Sequence, residues 1–345
     1  MDDAPGPDIA LNWMQEYAAN EMVELQHEGK LTRREMMGRL VAICGSAAAA
    51  TTFLASCASD STSTTGNGAT SSAPRTSSSG ADSGSGTGTN VPPATSAPAG
   101  KVTPPTNGGA GHPLSVAADD PDVKAGNVTF KGPASDLFGY LARPATSGSR
   151  PGIIVNHEIF GLTDHIRDVA RRLAKVGYVA LAVDLASRAG GTDKAPNPMG
   201  ALTQGSPDDR IADLNAGIDH LKGQEDVNGK IGVVGFCFGG GMTLSLAAAN
   251  PTLLAAVAYY GPTPQPPSVM SGAKAAVLAH YGADDKMVNG GIEALEAAMQ
   301  GKTFEKHVYD GAGHAFNNDT GGAYNEKAAI EAWTTTLGWF ARYLA

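Results

Sequence analysis

The 345-residue chain has little cysteine: Cys44, Cys57 and Cys237 are its three thiols, too few for a disulfide framework. It has no basic patch with interleaved aromatics and carries a formal net charge of -9, which argues against a nucleic-acid partner. No segment has enough unbroken apolar residues to span a bilayer as a mature helix. Metal-ligand clusters and phosphate-binding glycine loops are missing too, so neither a metal nor another cofactor is expected.

What is there is unevenly distributed. Residues 58–111 are almost entirely Ser, Thr, Gly, Ala, Pro and Asn. Such a stretch has no apolar surface to offset the entropy of ordering it, so a disordered tether is expected. It separates a leader, 1–57, from one globular domain, 112–345, with periodic apolar segments. In the leader, Thr32-Arg33-Arg34 resembles the start of a twin-arginine export signal, with Met36 and Met37 at its apolar positions and Gly38 where a lysine is common. The weakly hydrophobic run that follows closes on Leu54-Ala55-Ser56-Cys57, which resembles a lipobox. The expectation is a mature protein beginning at a lipidated Cys57, periplasmic or cell-surface, touching the membrane only through that anchor. A short amphipathic helix with a chance arginine pair is the alternative. On the export reading Cys44 leaves with the signal and Cys57 is acylated, so Cys237 remains as the lone thiol.

In the domain, strand-like apolar runs alternate with helical patterns. An opening hairpin ("NVTFKG", "LFGYLARP") precedes "PGIIVNHEIFG", a buried strand running into a turn. The segment "DHIRDVARRLAKVG" places Ile166, Val169, Leu173 and Val176 at helical spacing, and "YVALAVDLA" is a continuous apolar strand. Helix and strand then alternate to a closing helix, "NEKAAIEAWTTTLGWFARYLA". This order implies an α/β fold: a doubly wound, mostly parallel sheet with helices on both faces. Ligands in such sheets sit at the carboxyl ends of the strands, where Cys237, Asp285 and His314 fall.

Cys237 lies in "GFCFGGG", between glycines at a strand-to-helix turn. There a nucleophile is exposed above the sheet, and the helix N-terminus favours its thiolate. A buried structural cysteine is the competing reading. Asp285 follows the strand "VLAHYG", and His314 lies in "YDGAGHAFNND", in the order nucleophile, acid, histidine. Histidine suits proton transfer to and from a thiol, and a carboxylate orients its ring. Asp284 is the rival acid, and either aspartate would also suit a helix cap. His280, inside a strand, is expected in the core.

With "HEIFGL", "GYVALAVDL", "GFCFGGG", Asp285 after "YGAD" and His314 in "AGHAF", the sequence resembles the dienelactone hydrolase family of α/β-hydrolases over about 120–345, as an exported, twin-arginine-signal-bearing member. The resemblance implies an ester- or lactone-cleaving hydrolase working through a cysteine thioester on a small-molecule substrate. It implies Cys237 as nucleophile, His314 as acid and base, Asp285 as orienting carboxylate and Glu158 as the glutamate that helps form the thiolate. Backbone N–H groups of Ile159 and Phe238 would form the oxyanion hole. Glu158 could instead be a plain ion-pair partner. His157 is a pocket-lining residue or hydrogen-bonds within its own loop. Arg188 matches a pocket-rim arginine, with Arg210 a further candidate; exposed surface arginines are the alternative for both. In the dienelactone-cleaving members an arginine follows the histidine by four residues and binds the substrate carboxylate. Asn318 stands there in this chain, which favours neutral esters and a broad carboxylesterase. A tethered, catalytically idle binding protein is the remaining alternative. A monomer is expected.

Overall fold

The computed structural model describes residues 31–60 and 112–345, with isolated positions between 15 and 29. In chain order the elements are α1 (Arg33–Cys44), α2 (Ala47–Asp60), β1 (Val123–Lys131), β2 (Asp136–Pro144), β3 (Arg150–Asn156), α3 (Asp164–Lys175), β4 (Val179–Val183), α4 (Pro198–Gln204), α5 (Pro207–Lys222), β5 (Val227–Phe236), α6 (Phe238–Ala249), β6 (Ala255–Tyr259), β7 (Ala276–Gly282), α7 (Ile292–Ala298), β8 (Phe304–Tyr309) and α8 (Glu326–Tyr343).

The strands form one eight-stranded sheet in the order β1-β2-β4-β3-β5-β6-β7-β8. The opening hairpin pairs antiparallel and joins β4 antiparallel; β4, β3, β5, β6, β7 and β8 run parallel. β4, β6 and β7 are buried at every residue. This is why their sequences read as unbroken apolar runs instead of alternating. The edge strand β1 alternates weakly and is largely exposed. Helix α3 packs on β2 and β4, α5 on β3 to β5, α6 on β5 and β6, and α8 on β6 and β7. The chain leaves β3 for β4 on one side and then crosses to β5 on the other. The carboxyl ends of β3 and β5 therefore flank the switch point, the place where such sheets form a crevice.

Two regions differ from the sequence reading. No element was expected over 187–207, between the strand "YVALAVDLA" and the helix "DDRIADLNAGIDHLKG", yet a 3-10 turn (Ser187–Ala189) and α4 lie there. Asn197 caps α4, accepting the Gly200 N–H at 3.0 Å, and Pro198 opens it. At seven residues it is too short to reveal a helical period. The second region is the leader. α1 starts with a capping box, in which Thr32 Oγ1 accepts the Glu35 N–H and Glu35 Oε2 accepts the Thr32 N–H. Met36, Leu40 and Ile43 are buried while Arg33 and Arg34 are exposed, and the helix packs against α4. No single described helix is long and apolar enough to cross a membrane; α1 and 47–55 reach that length only as a pair bent by 108°. α2 continues through Cys57 to Asp60. That helix takes in residues 58–60 of the expected 58–111 tether, which are therefore helical; residues 61–111, and most of those before Leu31, lie outside the described residues.

Candidate functional site

Strand β5 ends at Phe236, and α6 begins at Phe238. Between them Cys237 takes φ 56° and ψ -124°, a conformation that costs an ordinary residue on the order of 1–3 kcal/mol. The flanking glycines make the turn possible. A Cβ on Gly235 would stand 2.1 Å from the Gly239 carbonyl oxygen, and one on Gly239 would stand 2.4 Å from the carbonyl oxygens of Asn156 and His157. The glycine spacing thus presses the β5 turn onto the end of β3. Cys237 is 1 % exposed and is not in a disulfide. Among the described residues, positive φ occurs at three non-glycine positions: Cys237, Tyr260 and Ala315. All three lie at this site, as expected where strain serves positioning.

The partners converge on the thiol from two strand ends. Asp285, buried after β7, accepts the Met287 N–H at 3.0 Å through Oδ1, and its Oδ2 lies 2.7 Å from His314 Nδ1. His314 is also hydrogen-bonded to Cys237. Burial alone would lower the His314 pKa. The hydrogen bonds to Asp285 and Cys237, with the charges they carry, outweigh it and hold the imidazole well above the ordinary histidine range. Asp284 is exposed and bonds through its N–H to the Ala312 carbonyl, so the acid facing the histidine is Asp285. His280 sits in the core between Tyr309 and Thr336, as expected.

Glu158 follows β3 and is 3 % exposed. Burial raises its pKa, opposed by His165, by His314 and by the Asn318 side chain, whose Nδ2 donates to Oε2 at 2.9 Å. Asn318 is therefore placed on the glutamate. His157 has both ring nitrogens engaged with backbone: Nδ1 lies 2.7 Å from the Glu158 carbonyl, and Nε2 accepts the Leu185 N–H at 3.0 Å. It holds the loop, the second of the two roles its sequence left open. Ile159 is fully buried directly after Glu158, and the Phe238 N–H, first in α6, has no acceptor within its helix.

The arginines exchange roles. Arg188 is exposed and paired with Asp213, at 2.8 and 2.9 Å, and with Asp209, at 3.1 Å, as the surface-arginine alternative has it. Arg210 is the unusual one. It is 3 % exposed, both terminal nitrogens are buried without a hydrogen-bond partner, and its guanidinium carbon lies 5.9 Å from the centre of the Phe238 ring. Burial lowers its pKa to about 10 against the opposing pull of Asp209 and Asp213. Tyr260 was not foreseen. Its ring stands edge-on to His314 at 5.1 Å, and its buried hydroxyl has no partner. No sequence signal separates it from Tyr259, which bonds Thr336 in the core at 2.7 Å.

The cysteine elbow, the histidine bonded to it and the carboxylate behind that histidine all lie within the stretch that matches a known family. The dienelactone hydrolase family profile covers residues 137–344. The chain belongs to the dienelactone hydrolase family. A Salmonella typhimurium protein assigned as a carboxymethylenebutenolidase is 35% identical over 251 residues, covering 67% of this chain and 92% of its own. A Bradyrhizobium protein assigned as a 2-oxo-3-(5-oxofuran-2-ylidene)propanoate lactonase is 34% identical over 216 residues, 58% of this chain and 87% of its own. The crystal structure of a Klebsiella pneumoniae protein assigned as a dienelactone hydrolase superposes with TM-score 0.60 at 33% identity, covering 64% of this chain and 99% of that one. Family membership makes the protein a hydrolase acting on esters or lactones, on the α/β-hydrolase fold expected from its sequence.

Proposed function

We propose that the protein cleaves its ester or lactone through a thioester on Cys237. The observation that carries this reading is the hydrogen-bonded series Asp285–His314–Cys237 at a strained elbow. The Cys237 proton passes to His314 or Glu158, which share it as a coupled pair. The Sγ attacks the carbonyl carbon, and the oxyanion is met by the N–H groups of Ile159 and Phe238. Collapse breaks the bond to the alkoxy oxygen, which leaves with the proton from His314; in a lactone it stays tethered to the acyl group. Water then attacks the thioester, giving its proton to His314, and the carboxylic acid leaves as the thiol re-forms.

Arg210 bears on the substrate. A buried guanidinium without hydrogen-bond partners, over the ring of the residue next to the nucleophile, supports a substrate carrying a carboxylate. This moves the reading from the neutral esters that Asn318 favoured toward acidic lactones or half-esters. The test is a panel of an acidic dienelactone, its methyl ester and short neutral esters. Cys237→Ala is expected to abolish turnover of all of them, and near-wild-type rates in it would refute the assignment. Preference for the methyl ester over the free acid would return the protein to the broad carboxylesterases. An unreactive Cys237 toward an alkylating agent would favour the idle binding scaffold.

Export belongs to the same proposal. The arginine pair of the twin-arginine-like motif is exposed on the first turn of α1, accessible to a receptor, which supports export before processing at Cys57. Mass analysis of exported protein is expected to find an acylated Cys57 at the N-terminus. An intact, unmodified leader would overturn this part.

A further inference from the structure

Cys237, Glu158, Asp285, Arg210 and Tyr260 are all buried, so a substrate reaches the thiol only if some element moves. The element standing against Arg210 is α4. Gly205, which follows its last residue, is so close that a Cβ there would lie 3.3 Å from Arg210 Nη2. That nitrogen and Nη1 are buried donors without hydrogen-bond partners, and in an open site water or a substrate carboxylate would reach them. At seven residues α4 is too short to keep its place by its own helical bonds. Its hold on Arg210 depends on what packs against it.

α1 packs against α4 and also touches the loop that carries Glu158. The Ala42 carbonyl accepts Asn197 Nδ2, from the cap of α4, at 3.4 Å, and a Cβ on Gly200 would stand 2.9 Å from the same oxygen. Arg39 of the same helix lies over the Phe160 ring at 5.9 Å, and Phe160 follows Ile159, a proposed oxyanion donor. The two contacted loops are joined to each other as well: the Leu162 N–H donates to Thr192 Oγ1 at 2.9 Å, shortly before the α4 cap. Met36, Leu40 and Ile43 of α1 and Met199 of α4 are buried, so docking removes apolar surface from water. We propose that α1 is an intramolecular latch: docked, it holds α4 down on Arg210 and keeps the site closed, and its release opens the hydrolase to substrate. This rests on the reading of Cys237 as nucleophile and Arg210 as the substrate's anchor given above. The chain that carries α1 is then a precursor of low activity. α1 lies entirely before Cys57, so the processing proposed above would free it whole. A helix that only stabilised the domain would act in the opposite sense, because loosening it would cost activity.

The test compares wild type with Leu40→Glu, which places a charge in the docked face of α1. Alkylation of Cys237 by iodoacetamide, read on its own peptide by mass spectrometry, is expected to be at least about tenfold faster in the variant, since the open fraction scales the rate. The kcat/KM for an activated ester should rise with it. A second measurement needs no substitution in α1. A protease site inserted within 61–111 and cut in the purified chain makes docking bimolecular, so that dilution releases α1. The diluted, nicked chain is expected to label fast, and an added peptide of residues 31–60 to slow it again, whereas the same peptide with Leu40→Glu does not. Labelling of the diluted, nicked chain at or below the wild-type rate overturns the proposal whatever the variant does, and so does a peptide that fails to slow it. Failure of the catalytic reading is separate, since it would appear as turnover surviving in Cys237→Ala with α1 docked or released.

Discussion

At the scale of single residues, the site works by setting burial against partnership. His314 is the clearest case, because burial that should neutralise it loses to Asp285 and Cys237. Since its folded pKa is raised, its contribution to stability is complete below the ordinary histidine value of about 6.5 and is lost as pH rises through the raised value. The alkaline limb of kcat/KM is expected to follow that same loss of the imidazolium proton. Asp285→Asn should move this limb to lower pH and reduce kcat on the order of 10³-fold, which a pH–rate profile on an activated ester reads directly. Arg210 should show the opposite bargain. Its unpaired charge costs stability, so Arg210→Met is expected to stabilise the fold by about 1–3 kcal/mol in denaturant unfolding. The same change should raise KM for carboxylate-bearing substrates at least about tenfold while leaving neutral esters little affected.

At the scale of elements, the proposed catalytic groups are brought together by turns at strand ends. The loop after β3 supplies Glu158, the elbow after β5 supplies Cys237, and the loops after β7 and β8 supply Asp285 and His314. Gly239 joins the first two, because its missing Cβ lets α6 rest against the carbonyls of Asn156 and His157. Gly239→Ala must push these elements apart. It is expected to cost about 1–3 kcal/mol of stability and to slow acylation of Cys237 far more than it changes KM. Burst-phase kinetics and thermal unfolding of the one variant would test both.

At the scale of the whole molecule, α1 is more than an appendage to the domain. α1 lays Met36, Leu40 and Ile43 on the domain near α4, and Arg39 stands over the Phe160 ring at 5.9 Å. Phe160 is two residues from Glu158, so docking of α1 reaches the loop that carries the glutamate. Leu40→Glu places a charge in that interface and is expected to abolish hydrogen-exchange protection of α1 while the protection of β3 to β8 is retained. Equal protection of α1 in both proteins would show that the helix does not depend on this contact.

The sequence by itself determined the α/β order and the parallel core strands, because each is written in short-range pattern, and it nominated the candidate triad. Continuous apolar runs bounded by turns mark strands buried on both faces, and a thiol between glycines marks the elbow. Asp285 and His314 were legible as residues following strands in the order this fold uses. What only the tertiary structure decided is which polar groups are buried together. Arg188 and Arg210 are alike in sequence, but two aspartates consume the first and leave the second without partners. His157 is engaged with backbone through both ring nitrogens, whereas His165 meets the Asp319 carboxylate with one and has the other buried without a hydrogen-bond partner. Burial sets the cost of a charge and distant segments supply its partner, and neither quantity is carried by neighbouring residues in the chain.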